Sequence, residues 1–259
     1  MSIYEQFKRE GIEEIEKQGS DKALAALSRE WTAMANAHKY SYHFECLGRP
    51  IIQYPQDMVA MQELIWSVKP DLIIEMGIAH GGSLVLSAAA LALLDYTEAV
   101  ASGQTLDPSA SKRKVLGVDI DIRPHNREAI EAHPMAHMIE MIEGSSIEPE
   151  IIDQVKSLAK GFERVLVCLD SNHTHDHVLA ELEAYAPLTS KDSYCIVFDT
   201  IIEDLPDDMF PNRPWGVGDN PKTAVWEYLK AHPEFEIDKS IDNKLLISVA
   251  PDGYLKRVT

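Results

Sequence analysis

DLIIEMGIAHGGS, residues 71–83, is the stretch that decides the fold of this chain. A short apolar run, 71–76, ends just before Gly77, and the pattern of an apolar helix, 83–99, begins directly after Gly81 and Gly82. Glycines permit a tight turn and a close approach of the backbone to a ligand, and the N-terminus of a helix offers free N–H donors. The stretch therefore predicts a strand, a ligand-binding turn and a helix, although any tight strand-to-helix turn can use such glycines.

Four further apolar runs follow, and helical segments separate them. The runs are 115–120, 138–142, 165–170 and 194–199, and the helical segments after the first run are 83–99, 125–132, 148–159 and 176–186. Short apolar runs that alternate with helices are typical of a parallel sheet covered on both faces. A helix at 222–231 and strands at 235–238 and 244–250 complete the pattern. We therefore predict an α/β fold, a doubly wound, mostly parallel sheet closed by a C-terminal antiparallel pair.

The N-terminal part has a different pattern. Residues 3–35 have the spacing of a helix, and residues 38–55, which include HKYSYHF and LGRPIIQYP, read as an aromatic strap or lid. Linkers are rarely so rich in aromatic residues. We expect one domain over 1–259, with a helical extension and strap at 1–56 and a Rossmann-like core at 57–259.

Composition excludes several classes of partner. The chain carries 42 acidic and 24 basic residues, a net charge of −18, which argues against nucleic acid and anionic membranes as partners. Three scattered cysteines and a charged N-terminus favour a reducing cytoplasm over secretion. The longest apolar stretch, 83–94, is too short to span a bilayer, so no transmembrane segment is expected.

Ligands of open α/β sheets bind at the carboxyl ends of the strands, so the residues after each run matter most. The second run ends in Asp119-Ile-Asp121, and an acidic side chain there can accept hydrogen bonds from a ribose diol. We expect Asp119 to face the ligand and Asp121 to face solvent. After the third run, Ser146 either borders an adenine or caps the helix that begins near Glu148.

The fourth and fifth runs end in the most informative residues. The fourth run is followed by DSNHTHDH, and the fifth ends in Asp199. Adjacent parallel strands would bring Asp170 and Asp199 together, and paired carboxylates repel each other unless a proton or a cation lies between them. Oxygen ligands suit Mg²⁺, and His173 is then placed to act as a general base. In the alternative interpretation, Asp170 caps the next helix and Asp199 faces solvent.

The other histidines have simpler explanations. His175 and His177 fall on the first turn of a helix, where we expect them to be exposed or to pack on the lid. His80 lies in the glycine-containing turn, where we expect it to hydrogen-bond within the loop or to lie behind the ligand site.

These residues resemble a known family. LGRPIIQYPQD, DLIIEMGIAHGGS, VLGVDIDIR, LDSNHTHDHV and RPWGVGDNPKTAVWEYL together are similar to the cephalosporin hydroxylase family, from about residue 38 to the C-terminus. The family is a branch of class I methyltransferases that includes rhamnosyl O-methyltransferases and is related to macrolide sugar O-methyltransferases. Its name implies no oxygenase chemistry, because the open iron site of such enzymes needs a different ligand pattern.

The resemblance implies a role for each matching residue. It assigns His173 as the base and Asp170 and Asp199 to Mg²⁺. It assigns S-adenosylmethionine to Glu75, Gly77, Gly82, Ser83 and Asp119. We add Ala79, Ser146 and Asp170 as further candidates for contact with the cofactor. The chain departs from the family at Phe198, where related metal-dependent members carry a second acid, so the Thr200 hydroxyl and waters would complete the metal shell.

The resulting expectation is an S-adenosylmethionine-dependent, Mg²⁺-assisted O-methyltransferase. Its acceptor would be a sugar hydroxyl of a glycosylated metabolite or surface glycan precursor, and relatives suggest a homo-oligomer. The alternative is a non-catalytic cofactor-binding protein that assists a partner enzyme. An NAD-dependent oxidoreductase is disfavoured because G-x-G-x-x-G is absent.

Acceptor binding is expected to come from the lid, where two interpretations stay open. The lid side chains either form a sugar platform or seal the strap onto the sheet. They are Tyr40, Tyr42, Phe44, Arg49 and Gln53 on one side, and Arg213, Trp215 and Asn220 on the other.

Overall fold

The computed structural model describes residues 2–259, and a seven-stranded sheet organises them. The strands in chain order are β1 (Phe44–Cys46), β2 (Arg49–Ile51), β3 (Leu72–Met76), β4 (Lys114–Asp119), β5 (Ile139–Glu143), β6 (Val165–Leu169), β7 (Tyr194–Val197), β8 (Phe235–Ile237) and β9 (Tyr254–Arg257). The main sheet has the order β5-β4-β3-β6-β7-β9-β8, and β1 and β2 form a separate hairpin. Strands β3 to β7 are parallel, while β9 is antiparallel to β7 and β8. The predicted α/β class and the C-terminal antiparallel pair are therefore confirmed.

Helices cover both faces of this sheet. They are α1 (Ile3–Ser20), α2 (Lys22–Asn36), α3 (Pro55–Val68), α4 (Gly82–Ser102), α5 (Pro124–Glu131), α6 (Pro149–Ala159), α7 (His175–Tyr185), α8 (Pro221–Ala231) and α9 (Lys239–Leu245). Every residue of the central strands β3 and β6 is buried, with alternate side chains in the two large core clusters. Coverage on both faces explains why these strands are continuous apolar runs in the sequence.

The single helix predicted for residues 3–35 is instead two helices. Asp21 separates α1 from α2, because its side chain accepts hydrogen bonds from the backbone N–H groups of Ala23 and Leu24 and so caps the start of α2. None of the residues of α1 is buried. Its apolar spacing is therefore not that of a core helix.

The strand predicted at 244–250 is wrong. Residues up to Leu245 belong to α9, and the last strand is β9, further along the chain. Val249 has its N–H bonded to the buried Asp57 carboxylate and its carbonyl bonded to the N–H of Ile201, so neither group joins a strand ladder. The apolar side chains of residues 246–250 are buried or half-buried in a connecting segment, so the sequence there has the apolar pattern of a strand without forming one.

Within residues 2–259, one helix, α4, is long and apolar enough to cross a membrane by length and composition. The side chains of Leu84, Val85, Ala88 and Leu91 on this helix are fully buried in the protein core. Its apolar character is thus explained by its place against the sheet, directly after the turn that follows β3.

Candidate active site

A cavity of about 220 Å³ lies at the carboxyl edge of the parallel strands. The glycine-containing turn, the strap and the ends of β4, β6 and β7 form its wall. Most of the predicted site residues line it together: Gly77, Ala79, Gly82, Ser83, Asp119, Asp170, His173 and Asp199. Two predicted residues, Glu75 and Ser146, do not.

The turn after β3 requires its glycines. Gly77 has a φ of +95°, and a Cβ atom there would come 2.1 Å from the carbonyl oxygen of Asp170. A Cβ on Gly82 would come 2.3 Å from the carbonyl oxygen of Pro50 in the strap. Ala79 adopts a φ of +46°, which is uncommon for a residue with a side chain. The turn therefore lies close to β6 on one side and to the strap on the other, at the N-terminus of α4, where free N–H groups suit a carboxylate or phosphate.

Asp119 holds this turn in place. Its Oδ2 accepts hydrogen bonds from the backbone N–H groups of Ile78, at 2.8 Å, and Ala79, at 3.2 Å. The side chain is half-buried and lines the cavity, whereas Asp121 is exposed and lies outside it. The structure thus places Asp119 at the cavity wall and Asp121 in solvent, and the expectation that Asp119 faces a ligand stays a prediction.

Glu75 lies beneath the cavity. It is 4% exposed, and its carboxylate accepts a hydrogen bond from the Ser83 hydroxyl. Burial raises the pKa of Glu75 to about 7, and the bond from Ser83 opposes part of that shift. Glu75 borders a second, much smaller cavity of about 20 Å³, which Asp170 and Gln53 also border.

Ser146 is used in a buried hydrogen-bond cluster. Its hydroxyl donates to Oε1 of Glu181, which has no exposed surface and also accepts from the Ser171 hydroxyl. The alternative that Ser146 caps the next helix is wrong, because the capping position of α6 is Glu148. Glu181 was missed by the sequence analysis, because a glutamate on a helix gives no sign of complete burial.

The ends of β6 and β7 bring two carboxylates and an imidazole together. One ligand atom from each of Asp170, His173 and Asp199 lies within 4.8 Å of the other two. The Nδ1 atom of His173 lies 3.3 Å from Oδ2 of Asp199. Burial raises the pKa of Asp170 well above its ordinary range, and the nearby charges of Asp199 and Glu75 raise it further. The two carboxylates fit one hard divalent cation, which would relieve the repulsion between them and leave the imidazole beside it.

The backbone shapes this cluster. Strand β7 ends at Val197, and Asp199 has a φ of +54°. A non-glycine residue in the left-handed region costs free energy, and such strain is concentrated at functional sites. The alternative that Asp170 caps the next helix is wrong, because the residue before α7 is Thr174.

No second acid from the chain segment after β7 joins the cluster. Phe198 is buried in the core, and the side chains of Glu203 and Asp204 bond to Asn220 and Lys222. The expectation that Thr200 offers its hydroxyl to a metal is also wrong, because Thr200 is fully buried away from the cavity wall, with its hydroxyl directed at the Pro251 carbonyl at 2.7 Å.

Two of the neighbouring histidines, His175 and His177, lie outside the cavity, whereas His80 lines it. Nδ1 of His175 lies 2.8 Å from the Thr223 hydroxyl, and His177 lies 3.1 Å from the Ser146 hydroxyl. Both side chains are half-buried. His175 packs beside the second side of the lid, because its backbone N–H donates to Asp219 and its ring contacts Thr223, whereas His177 packs against the segment after β5. His80 lines the cavity, and its carbonyl oxygen accepts hydrogen bonds from the Arg49 guanidinium.

Of the aromatic residues of the strap, some seal it onto the sheet and others remain available as a sugar platform. Tyr40 packs edge-on against Trp31, Phe44 and Tyr54 and seals the strap, whereas Tyr42 is 57% exposed and lines the cavity. On the opposite side, the ring of Trp215 packs edge-on against His173, with centroids 4.7 Å apart.

Comparison with known proteins gives consistent results. The family model of rhamnosyl O-methyltransferase/CmcI matches residues 38–258. A rhamnosyl O-methyltransferase of Mycobacterium tuberculosis is 30% identical over 204 residues, which cover 78% of this chain and 73% of the relative. One from Mycobacterium leprae is 28% identical over 216 residues, which cover 82% of each chain.

Solved structures agree in fold. A CmcI structure with Mg and SAM superposes with a TM-score of 0.51 at 17% identity and covers 84% of this chain and 78% of its own. An O-methyltransferase from Bacillus cereus in complex with SAH gives a TM-score of 0.50 at 13% identity, with 83% and 82% covered. The predicted fold of a class I methyltransferase is therefore confirmed.

Proposed function

Because the chain belongs to the rhamnosyl O-methyltransferase/CmcI family, we propose that it transfers a methyl group from S-adenosylmethionine to a hydroxyl of a sugar. The acceptor class is a rhamnosyl or related sugar on a glycosylated metabolite or surface glycan precursor. One observation carries the proposal: the cluster of Asp170, His173 and Asp199 shares a single cavity with the glycine-containing turn. A cofactor site and a site for deprotonating a hydroxyl are thereby adjacent.

The residues of the cavity wall fit the cofactor. The turn that contains Gly77 and Gly82 lies too close to the end of β6 and to the strap for a Cβ atom at either position, and it leads along the cavity wall into the N-terminus of α4. We assign Gly77, Ala79, Gly82 and Ser83 to the amino acid part of the cofactor and Asp119 to its ribose. Glu75 and Ser146 act from behind the cavity wall. Glu75 bonds directly to Ser83, and Ser146 is linked to Ser171 through the Glu181 carboxylate that both hydroxyls donate to.

Asp170 and Asp199 would hold Mg²⁺, and His173 would remove the proton of the acceptor hydroxyl. Bound cofactor supplies an electrophilic methyl group, and a bound cation lowers the pKa of a coordinated hydroxyl. Nδ1 of His173 lies 3.3 Å from Asp199, so Nε2 is the ring nitrogen that would take the hydroxyl proton, and the packing of Trp215 restricts the ring. Holding acceptor and methyl donor in one cavity supplies much of the rate.

The acceptor would bind between the strap and the segment around Trp215. Tyr42 offers an exposed ring at the cavity mouth, and the guanidinium of Arg213 lies 5.1 Å from the Trp215 ring centroid. Aromatic rings suit the apolar faces of sugars, and an exposed arginine can donate hydrogen bonds to sugar oxygens.

We also infer where the protein works and in what form. Its three cysteines are free and buried, which suits a reducing cytoplasm. Large apolar side chains of α1 and α2, such as Phe7 and Met34, are exposed, which suits burial against a second copy of the chain. Light scattering at two concentrations tests the second inference, and a monomer at both would contradict it.

The test of the catalytic assignment compares two histidines of one segment. We expect His173→Ala to lower kcat by about 10²- to 10⁴-fold, which is the usual contribution of a general base, and to leave S-adenosylmethionine affinity within about twofold. His175→Ala is the matched control, because its ring bonds to Thr223 outside the cavity. Methyl transfer is measured with labelled cofactor on a panel of rhamnosides and other glycosides. Cofactor binding without transfer to any of them would favour the accessory protein, and full activity of His173→Ala would exclude His173 as the base.

A further inference from the structure

Gln53 lies between the strap and the Asp170 carboxylate. Its side chain is 5% exposed and borders both the large cavity and the small one below it. The amide Nε2 donates a hydrogen bond to Oδ2 of Asp170 at 3.2 Å. Among residues 2–259, this is the one side-chain amide or hydroxyl that donates to that carboxylate. The strap therefore reaches into the cluster at the end of β6.

The other end of the same amide has no partner. The Oε1 atom of Gln53 is buried and accepts no hydrogen bond from any described residue. Leaving a buried carbonyl oxygen unpaired costs about 1–3 kcal/mol. An apolar side chain of the same length would avoid this cost, so packing alone does not explain a glutamine at this position. The hydrogen bond from the amide N–H to Asp170 offsets the cost of the unpaired Oε1 atom.

Other contacts of the strap fix the position of Gln53 relative to the glycine-containing turn. Ile51 is buried, and the Tyr54 hydroxyl donates to Oδ1 of Asn36 at 2.7 Å. Arg49 donates from Nε to the carbonyl of His80 at 3.0 Å. These contacts fix the backbone on both sides of Gln53 without using its side chain, so the amide is not needed to hold the strap.

We propose that Gln53 is a positioning residue, whose amide fixes the Asp170 carboxylate in the orientation that lets it share a divalent cation with Asp199. The inference rests on the cation site of the proposed function. A carboxylate with a single side-chain donor can rotate when that donor is removed, and its ligand oxygen can then leave its position near Asp199. Residues that orient a metal ligand commonly change metal affinity by about 10- to 100-fold.

The test measures metal binding without any turnover. Mn²⁺ is titrated into the full chain in the absence of cofactor and acceptor, and free Mn²⁺ is followed by electron paramagnetic resonance. Gln53→Met keeps the length of the side chain and removes the donor, and we expect it to weaken Mn²⁺ binding by about 10- to 100-fold. Circular dichroism confirms that the variant is folded, and the unaltered contacts of Arg49 and Tyr54 should preserve its melting temperature within a few degrees.

Gln56→Met is the matched control. Gln56 lies three residues further along the chain, in the first turn of α3, and its Oε1 is also buried and unpaired, but it borders neither cavity. We expect its Mn²⁺ affinity to stay within twofold of that of the unaltered chain. Equal Mn²⁺ affinities of Gln53→Met and the unaltered chain, or an equal loss in both variants, would overturn the role of Gln53 and leave the cation site standing. Failure of the unaltered chain to bind Mn²⁺ would overturn the cation site and this inference together.

Discussion

Two acidic side chains, Asp57 and Asp170, border the same small cavity, and the protein surrounds them in opposite ways. Asp57 is 1% exposed and accepts hydrogen bonds from the hydroxyls of Ser248, at 2.6 Å, and Tyr254, at 2.7 Å, and from the N–H of Val249. Asp170 receives one side-chain hydrogen bond, from Gln53, and lies beside Asp199. One carboxylate is saturated with donors, and the other is crowded by a second acid.

The difference separates a structural role from a chemical one. Donors around Asp57 tie the start of α3 to residues 248–254 and occupy both oxygens of its carboxylate. Asp170 lacks such compensation, so its environment favours either a proton or a cation. Like-charge crowding lowers stability, and folded proteins accept such a cost chiefly at functional sites.

The largest expected effect comes from removing the charge of Asp170. Asp170→Asn should lower kcat by at least about 10²-fold, because a cation site loses a ligand. Its free energy of unfolding should stay equal or rise, because the repulsion with Asp199 disappears. Steady-state kinetics and urea denaturation measure the two quantities. Asp176→Asn, an exposed acid on the first turn of α7, is the control and should change neither.

Stabilisation by Mg²⁺ is the next effect in size. A ligand that binds only the folded state at 100 times its Kd adds about 2.7 kcal/mol to the free energy of unfolding. We expect Mg²⁺ to stabilise the unaltered chain in this way and to leave Asp170→Asn unaffected. Equal stabilisation of both proteins, measured by urea denaturation, would mean that Mg²⁺ binds elsewhere.

Asp57→Asn should show the opposite behaviour. The amide must turn an N–H group toward at least one of the donors that Asp57 now satisfies, so the free energy of unfolding should fall by about 1–3 kcal/mol. The kcat per folded molecule, measured well below the melting temperature, should stay within about twofold. A loss of activity as large as that of Asp170→Asn would remove the distinction between the two sites.

The smallest effect is in the pH dependence of stability. Burial raises the pKa of Asp57 from 3.8 to about 6, against the lowering effect of its hydrogen bonds. Because the folded state then binds more protons than the unfolded state between these values, the contribution of Asp57 to stability falls as pH rises through 6. Between pH 5 and pH 8 the loss is on the order of 1 kcal/mol for this one group.

The measurement is the difference in the free energy of unfolding between the unaltered chain and Asp57→Asn at the two pH values. Taking the difference removes the other buried acids, such as Glu75 and Asp242, whose pKa values are also raised, each to about 7. The difference should be smaller at pH 8 than at pH 5, and a larger one would contradict the assigned direction.

The central sheet and the active-site edge could be predicted because their signals are local. Each parallel strand is a continuous apolar run, and the residues after it reach the same edge of the sheet whatever the intervening helices do. Asp170 and Asp199 are separated by one βα unit, and the pairing of β6 with β7 brings them together as expected.

The wrong predictions concern residues whose conformation or hydrogen-bond partner is set by a contact with a distant part of the chain. Residues 246–250 are apolar and resemble a strand, but Asp57, which lies far away in the sequence, takes the N–H of Val249. Thr200 follows the right strand, yet its hydroxyl is used by Pro251. The contact of Gln53 with Asp170 crosses 117 positions of the chain, and no spacing rule reports such a pair.

The most direct test of the central claim is a crystal of the full chain soaked with Mn²⁺, with anomalous differences measured near the manganese absorption edge. We expect one strong peak between the carboxylates of Asp170 and Asp199 and no peak at Asp57. No peak at Asp170, or a peak at Asp57 of equal height, would contradict the assignment of the crowded carboxylate pair as the cation site.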